Sequence, residues 1–106
     1  MNLRNISTQL ENEVRNRDTH CIYCGIKFEN SKLSKKNSQT WEHIINDETI
    51  ITKGNIALCC FSCNASKGAK DLSIRLNSNY YKEKNITREN IAPIAKQALI
   101  HPPTKL

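Results

Sequence analysis

Four of the five cysteines come as two pairs with the same internal spacing, Cys21-Ile22-Tyr23-Cys24 and Cys60-Phe61-Ser62-Cys63. A Cys-x-x-Cys turn presents two thiolates to one point. Two such turns can supply the four sulfurs of a tetrahedral zinc shell, with Zn–S near ~2.3 Å. Redox dithiols and a rubredoxin-like iron centre are the competing readings. Two pairs in one short chain favour a shared ion over separate redox turns, and the knuckles lack the proline usual in the iron centre. A shell of four cysteines is closed, so zinc here is structural and leaves no position for a substrate. Cys59 is left over, and a small buried apolar residue accounts for it better than a nucleophile. His20, beside Cys21, could substitute as a ligand, but it reads better as a solvent-facing neighbour.

A second stretch with chemistry in it lies between the pairs, "TWEHIIN" at residues 40–46. Glu42 and His43 are ionisable groups set among Trp41, Ile44 and Ile45, which read as core. A carboxylate can hold a hard cation. An imidazole with an ordinary pKa of about 6.5 is mostly neutral at pH 7 and can accept a proton. Taken alone, the pair is an ordinary His–carboxylate contact. Its position gives it weight. One zinc bound by both cysteine pairs would clamp a β-hairpin and the helix after it. That arrangement puts His43 at the end of the first strand and Asn55 at the start of the second. Asn64 follows the last cysteine, at a helix N-terminus.

The elements that must hold these groups follow from local patterns. Residues 7–17 read as a helix, with Thr8 and Glu11 at capping-box spacing and Leu10 and Val14 on one face. Residues 29–40 are polar and turn-rich, with Lys32, Lys35 and Lys36, and read as a solvated loop. "TWEHII" has strand composition, "NDET" is a turn, and "IITKGNIALCC" reads as a second strand bent at Gly54. "CNASKGAK" begins a helix. Residues 71–85 fit helix or strand equally, and a final helix is expected from about Pro93, which a first turn tolerates. His101, Tyr80 and Tyr81 read as surface and core.

In order, "CIYCG", "WEHII" and "GNIALCCFSCNASKG" resemble the HNH (His-Asn-His) endonuclease family in its four-cysteine form, over about residues 20–70. The resemblance implies an α+β chain with a small zinc-stabilised ββα-metal fold. Two strands and a helix surround one catalytic divalent ion, with flanking N- and C-terminal helices. It implies His43 as general base and Asn55 as the residue that holds the hairpin loop and orients that base. It implies Glu42 and Asn64 as ligands of the catalytic ion. Glu42 stands where the family usually has Asp, Asn46 where a proline often follows, and a single glycine precedes Asn55. Oxygen donors from Glu42 and Asn64 favour Mg²⁺ or Mn²⁺. The implied activity is hydrolysis of DNA phosphodiesters, leaving 5′-phosphate and 3′-hydroxyl ends. Lys67 and Lys70, on the helix after Asn64, are candidate contacts to the DNA backbone. The alternative from another class is a non-catalytic zinc-ribbon module that binds nucleic acid. A small zinc protein used for protein contacts is a third reading, and it leaves His43, Asn55 and Asn64 unexplained.

Composition agrees without deciding. At 106 residues the chain reads as a single domain, 1–106, with its core at about 20–70, an N-terminal helix at 7–17 and a helical extension at 71–106. Lys and Arg number 16 against 10 Asp and Glu, a net charge of +6. Residues 1–30 are neutral, so the whole excess falls in 31–106. A basic body suits a polyanion, most simply nucleic acid, which the resemblance makes double-stranded DNA; the Lys-, Asn- and Ile-rich usage of an AT-rich genome accounts for part of the charge. The opening "MNLRNISTQLENE" lacks the apolar centre of a signal peptide, and the longest apolar run, residues 56–61, is too short to cross a bilayer. The expectation is a cytoplasmic chain with reduced thiols and no membrane partner. Sequence-specific cutting of both strands would need a homodimer or a larger nuclease assembly, built through residues 71–106.

Overall fold

The computed structural model describes residues 6–30, 32–67 and 70–103. In chain order the elements are α1 (Thr8–Arg17), β1 (Gln39–His43), β2 (Ile56–Cys60), α2 (Phe61–Lys67), α3 (Leu72–Arg75), α4 (Asn79–Glu83) and α5 (Pro93–Ile100). The sheet is one antiparallel pair, β1 against β2. Two strands followed directly by a helix, with helices on either flank and a cluster of four cysteines, make this a ββα-metal fold.

α1 starts one residue earlier than the capping-box spacing predicts. Ser7, not Thr8, is the N-cap, and its hydroxyl accepts from the Leu10 N–H at 3.1 Å. Glu11 then falls one place past the reciprocal position, where it instead pairs with Arg15 at 3.8 Å. Leu10 and Val14 face the sheet as expected. Val14 is fully buried, which is worth about 1.5–3 kcal/mol. The helix stops at Asp18, which leaves helical geometry and turns its carboxylate to the Leu58 N–H at 3.0 Å.

β2 is buried along its whole length. Period-2 alternation explains how, because each face has its own cover. Ile56 and Leu58 pack with Ile6, Val14, Leu10 and Trp41 beneath α1. Ala57 and Cys59 pack with Ile22, Tyr23, Tyr81 and the C-terminal helices. The register pairs Trp41 with Leu58, Glu42 with Ala57 and His43 with Ile56. Glu42 and Thr40 therefore share the face covered by the later helices, while Trp41 and His43 share the face of α1. Ile44 is buried, whereas Trp41 and Ile45 are half-buried.

The second strand is shorter than its composition suggests. Residues 50 and 51 lie outside the strand and residues 52–55 form a turn: Asn55 and Ile56 both donate to the Thr52 carbonyl at 2.9 Å. The ambiguous stretch after residue 71 resolves into two short helices. Ser78 caps the second, accepting from the Tyr81 N–H, and Asn85 ends it with φ 57, a left-handed conformation that asparagine tolerates. α5 begins at Pro93 as expected. The Ala92 N–H donates to the Ile22 carbonyl at 2.8 Å, which ties this helix back to the first cysteine knuckle. Among the described residues, no helix is long and apolar enough to cross a membrane.

Candidate active site

The sulfurs of Cys21, Cys24, Cys60 and Cys63 all lie within 4.8 Å of one another. Cys24 and Cys60 approach to 3.8 Å. A tetrahedron with Zn–S of about 2.3 Å has edges of about 3.8 Å; the Cys24–Cys60 pair is at that length, and all four sulfurs are close enough to converge on one ion. The cluster is compatible with structural zinc. Two further groups support it. The Cys63 N–H points to the Cys60 sulfur at 3.4 Å, and the Tyr80 hydroxyl donates to the Cys63 sulfur at 3.3 Å. Cys59 is buried outside the cluster, and burial pushes its thiol well above the ordinary range, so it is an inert thiol at neutral pH. His20 is exposed and bonds to Thr19, not to the cluster.

At the other end of the hairpin Glu42 is almost completely buried. Its two oxygens have different partners. Oε2 accepts from the Tyr23 hydroxyl at 2.5 Å and faces Arg75 Nη1 at 3.4 Å. Oε1 accepts from the Lys67 ammonium at 2.6 Å. Arg75 is itself buried, reaches the Ile44 carbonyl at 3.4 Å and lies over the Tyr23 ring at 5.2 Å. Burial first, and then the charge of Glu42, raises the Tyr23 pKa well above its usual value, so its hydroxyl stays a donor.

Asn55 is fully buried and grips the β1–β2 connection with its whole amide. Oδ1 accepts from the Ile45 N–H at 2.6 Å, and Nδ2 donates to the Ile45 and Ile50 carbonyls at 3.2 and 3.0 Å. The loop immediately after His43 is thereby fixed. Asn64 sits in α2 and donates to Thr40 Oγ1 at 2.9 Å and to the Trp41 carbonyl at 3.1 Å. Among the described residues, its Oδ1 has no hydrogen-bond partner.

His43 is half-buried at the last position of β1. Burial and then the Lys67 ammonium lower its pKa, against the opposing pull of Glu42. Lys67, expected to face DNA, is instead turned inward, with Nζ shared between Glu42 Oε1 and the His43 carbonyl at 2.9 Å. Lys70 is exposed, and so are Lys32, Lys35 and Lys36 in their loop.

Residues 21–70 match the family model of the HNH endonucleases. This segment is an HNH endonuclease domain. Neither a curated protein nor a solved structure matches the chain. The match of this segment points to phosphodiester hydrolysis of nucleic acid.

HNH nucleases typically use a divalent metal, and the donors here fit one. Glu42 Oε1 already has a cation docked on it, and Asn64 offers a carboxamide oxygen from the neighbouring helix. Both are hard oxygen donors suited to Mg²⁺ or Mn²⁺. The sequence patterns did not single out Tyr23, Arg75 or Tyr80 as polar partners. Tyr23 lies inside the first knuckle, where a signal was available: a polar aromatic with fixed backbone. Arg75, flanked by apolar Ile74 and Leu76, carried only a faint one.

Proposed function

We propose that this chain is a metal-dependent endonuclease that hydrolyses DNA phosphodiesters, with His43 as general base and a Mg²⁺ or Mn²⁺ ion held by Glu42 and Asn64. The observation that carries the reading is a buried carboxylate whose Oε1 holds a side-chain cation, within the segment that matches an endonuclease family. When bound there, the ion would supply positive charge for the phosphate and for the departing 3′-oxygen. His43 takes the proton of the attacking water. Its lowered pKa keeps the imidazole neutral, and so basic, at physiological pH. Asn55 keeps the following loop in place, so the base does not drift. Lys70, exposed beyond α2, and the lysines of residues 32–36 offer charge to the DNA backbone.

One observation favours a second reading, a zinc-ribbon module that binds DNA without cutting it. Tyr23, Lys67 and Arg75 already engage both oxygens of Glu42. Plasmid assays separate the two. Zinc-loaded protein is incubated with supercoiled DNA in Mg²⁺ or Mn²⁺, or with neither. Nicking that requires the added ion selects the nuclease. Gel shifts without cleavage in either ion select the binding module.

A further inference from the structure

The partners of Glu42 are unequal, and the inequality assigns them different roles. Arg75 is locked in place: 2% of its side chain is exposed, and it holds both Glu42 Oε2 and the Ile44 carbonyl over the Tyr23 ring. Lys67 is the last residue of α2, with 11% of its side chain exposed, and it is the one side chain bonded to Oε1 among the described residues. A lysine carries its charge as a compact group on a flexible stem, so Nζ can leave without moving the backbone. Arg75 alone neutralises the carboxylate. With Lys67 also present, the pocket already has an excess of positive charge. A doubly charged ion added to both would set three cations against one buried carboxylate, which is strongly unfavourable.

We propose that Lys67 is an exchangeable counter-ion of Glu42, displaced from Oε1 when the divalent ion enters. The inference rests on the reading of Glu42 as an ion ligand. In the ion-free protein Lys67 fills the cation position and keeps Glu42 paired. When the ion takes Oε1, the ammonium is released at the rim of the site, one turn from Asn64, where a DNA phosphate can receive it. Ion entry and the Lys67–Glu42 contact then oppose each other, while ion entry and DNA binding assist each other. The apparent affinity for the ion is reduced by the fraction of molecules in which Lys67 occupies the site.

The test is Mn²⁺ binding to the zinc-loaded protein without DNA, followed by electron paramagnetic resonance of the free ion. Lys67→Met should bind Mn²⁺ about tenfold more tightly than the wild type, a coupling of ordinary size. Lys67→Arg, which keeps a cation, should show no such gain. Glu42→Ala should lose the site. Binding by Lys67→Met that is equal to or weaker than wild type, with Glu42→Ala still losing the site, would overturn the exchange and leave Glu42 as a ligand. Unchanged binding by Glu42→Ala would remove the ligand reading and the exchange with it. A measurement on the unmodified chain avoids dependence on how the variants fold. Acylation of the Lys67 amine should be slow without a divalent ion and faster with Mg²⁺, and an identical rate in both would contradict displacement.

Discussion

The two ends of the β1–β2 hairpin carry two different buried polar centres. At one end four equivalent sulfurs meet, contributed by two tight turns. At the other a single carboxylate is surrounded by a phenol, an ammonium and a guanidinium from three separate segments. The sulfur centre is closed by its own ligands, and nothing is left to bind substrate. The carboxylate centre is held by two side-chain cations, one more than its charge needs, and the proposed exchange makes the lysine the replaceable one. The first builds the frame, and the second is where an ion and a phosphate can be handled. Tyr23 joins the two, because it sits within the first cysteine knuckle and donates to Glu42. Anchoring that knuckle with zinc therefore also positions a partner of the carboxylate.

Breaking each centre in turn should give graded effects. The largest comes from Cys60→Ala. Structural zinc sites are coupled to folding, so the variant should lose both zinc and its cooperative thermal transition, as read by metal analysis and circular dichroism. A normal melting curve would show that the sulfur end is not the frame. Arg75→Met should cost about 2–3 kcal/mol in denaturant unfolding, the loss of hydrogen bonds to a charged group, and less than a buried charge left unpaired because Lys67 stays on Glu42, while leaving zinc stoichiometry intact. Asn55→Ala removes the hydrogen bonds that hold the backbone at Ile45 and Ile50. Loss of buried amide bonds of this kind costs about 1–3 kcal/mol. Amide exchange should rise across residues 45–50 and stay unchanged around the cysteine knuckles. Tyr23→Phe deletes one donor to Glu42 and should cost about 1–2 kcal/mol, less than Arg75→Met. The smallest effect is on pH dependence. Because burial first lowers the His43 pKa, and a cation on Glu42, Lys67 or the ion that replaces it, lowers it further, its base form persists in mild acid, so the acid limb of the cleavage rate should lie below the ordinary histidine value of about 6.5. A limb above that value would require Glu42 to dominate the imidazole.

The same contrast explains what was legible in the sequence. The sulfur centre is written in local spacing, since a Cys-x-x-Cys turn closes on itself whatever the rest of the chain does. The start of α5 is equally local, set by Pro93 at its first position. The carboxylate centre depends on Lys67 and Arg75 returning to Glu42 from 25 and 33 residues away, and no local pattern encodes that return. Family resemblance supplied Glu42, His43, Asn55 and Asn64 as positions, but it could not say that Lys67 turns inward. The second strand was read as too long for a related reason. Ile50 and Ile51 have strand composition, but the Asn55 amide captures the backbone at Ile45 and Ile50 in turns, and the tertiary bond overrides the propensity. Residues 71–85 gave no clear period because two helices of about one turn each are too short to show one.

The most direct test of the account is the single-turnover cleavage rate of zinc-loaded His43→Ala beside the wild type, in saturating Mn²⁺ and with the melting temperature of each recorded. The account predicts a rate lower by about 10²–10⁴-fold, the usual contribution of a general base, with zinc content and melting temperature unchanged. Equal rates in two equally folded proteins would show that the imidazole at position 43 is not the base.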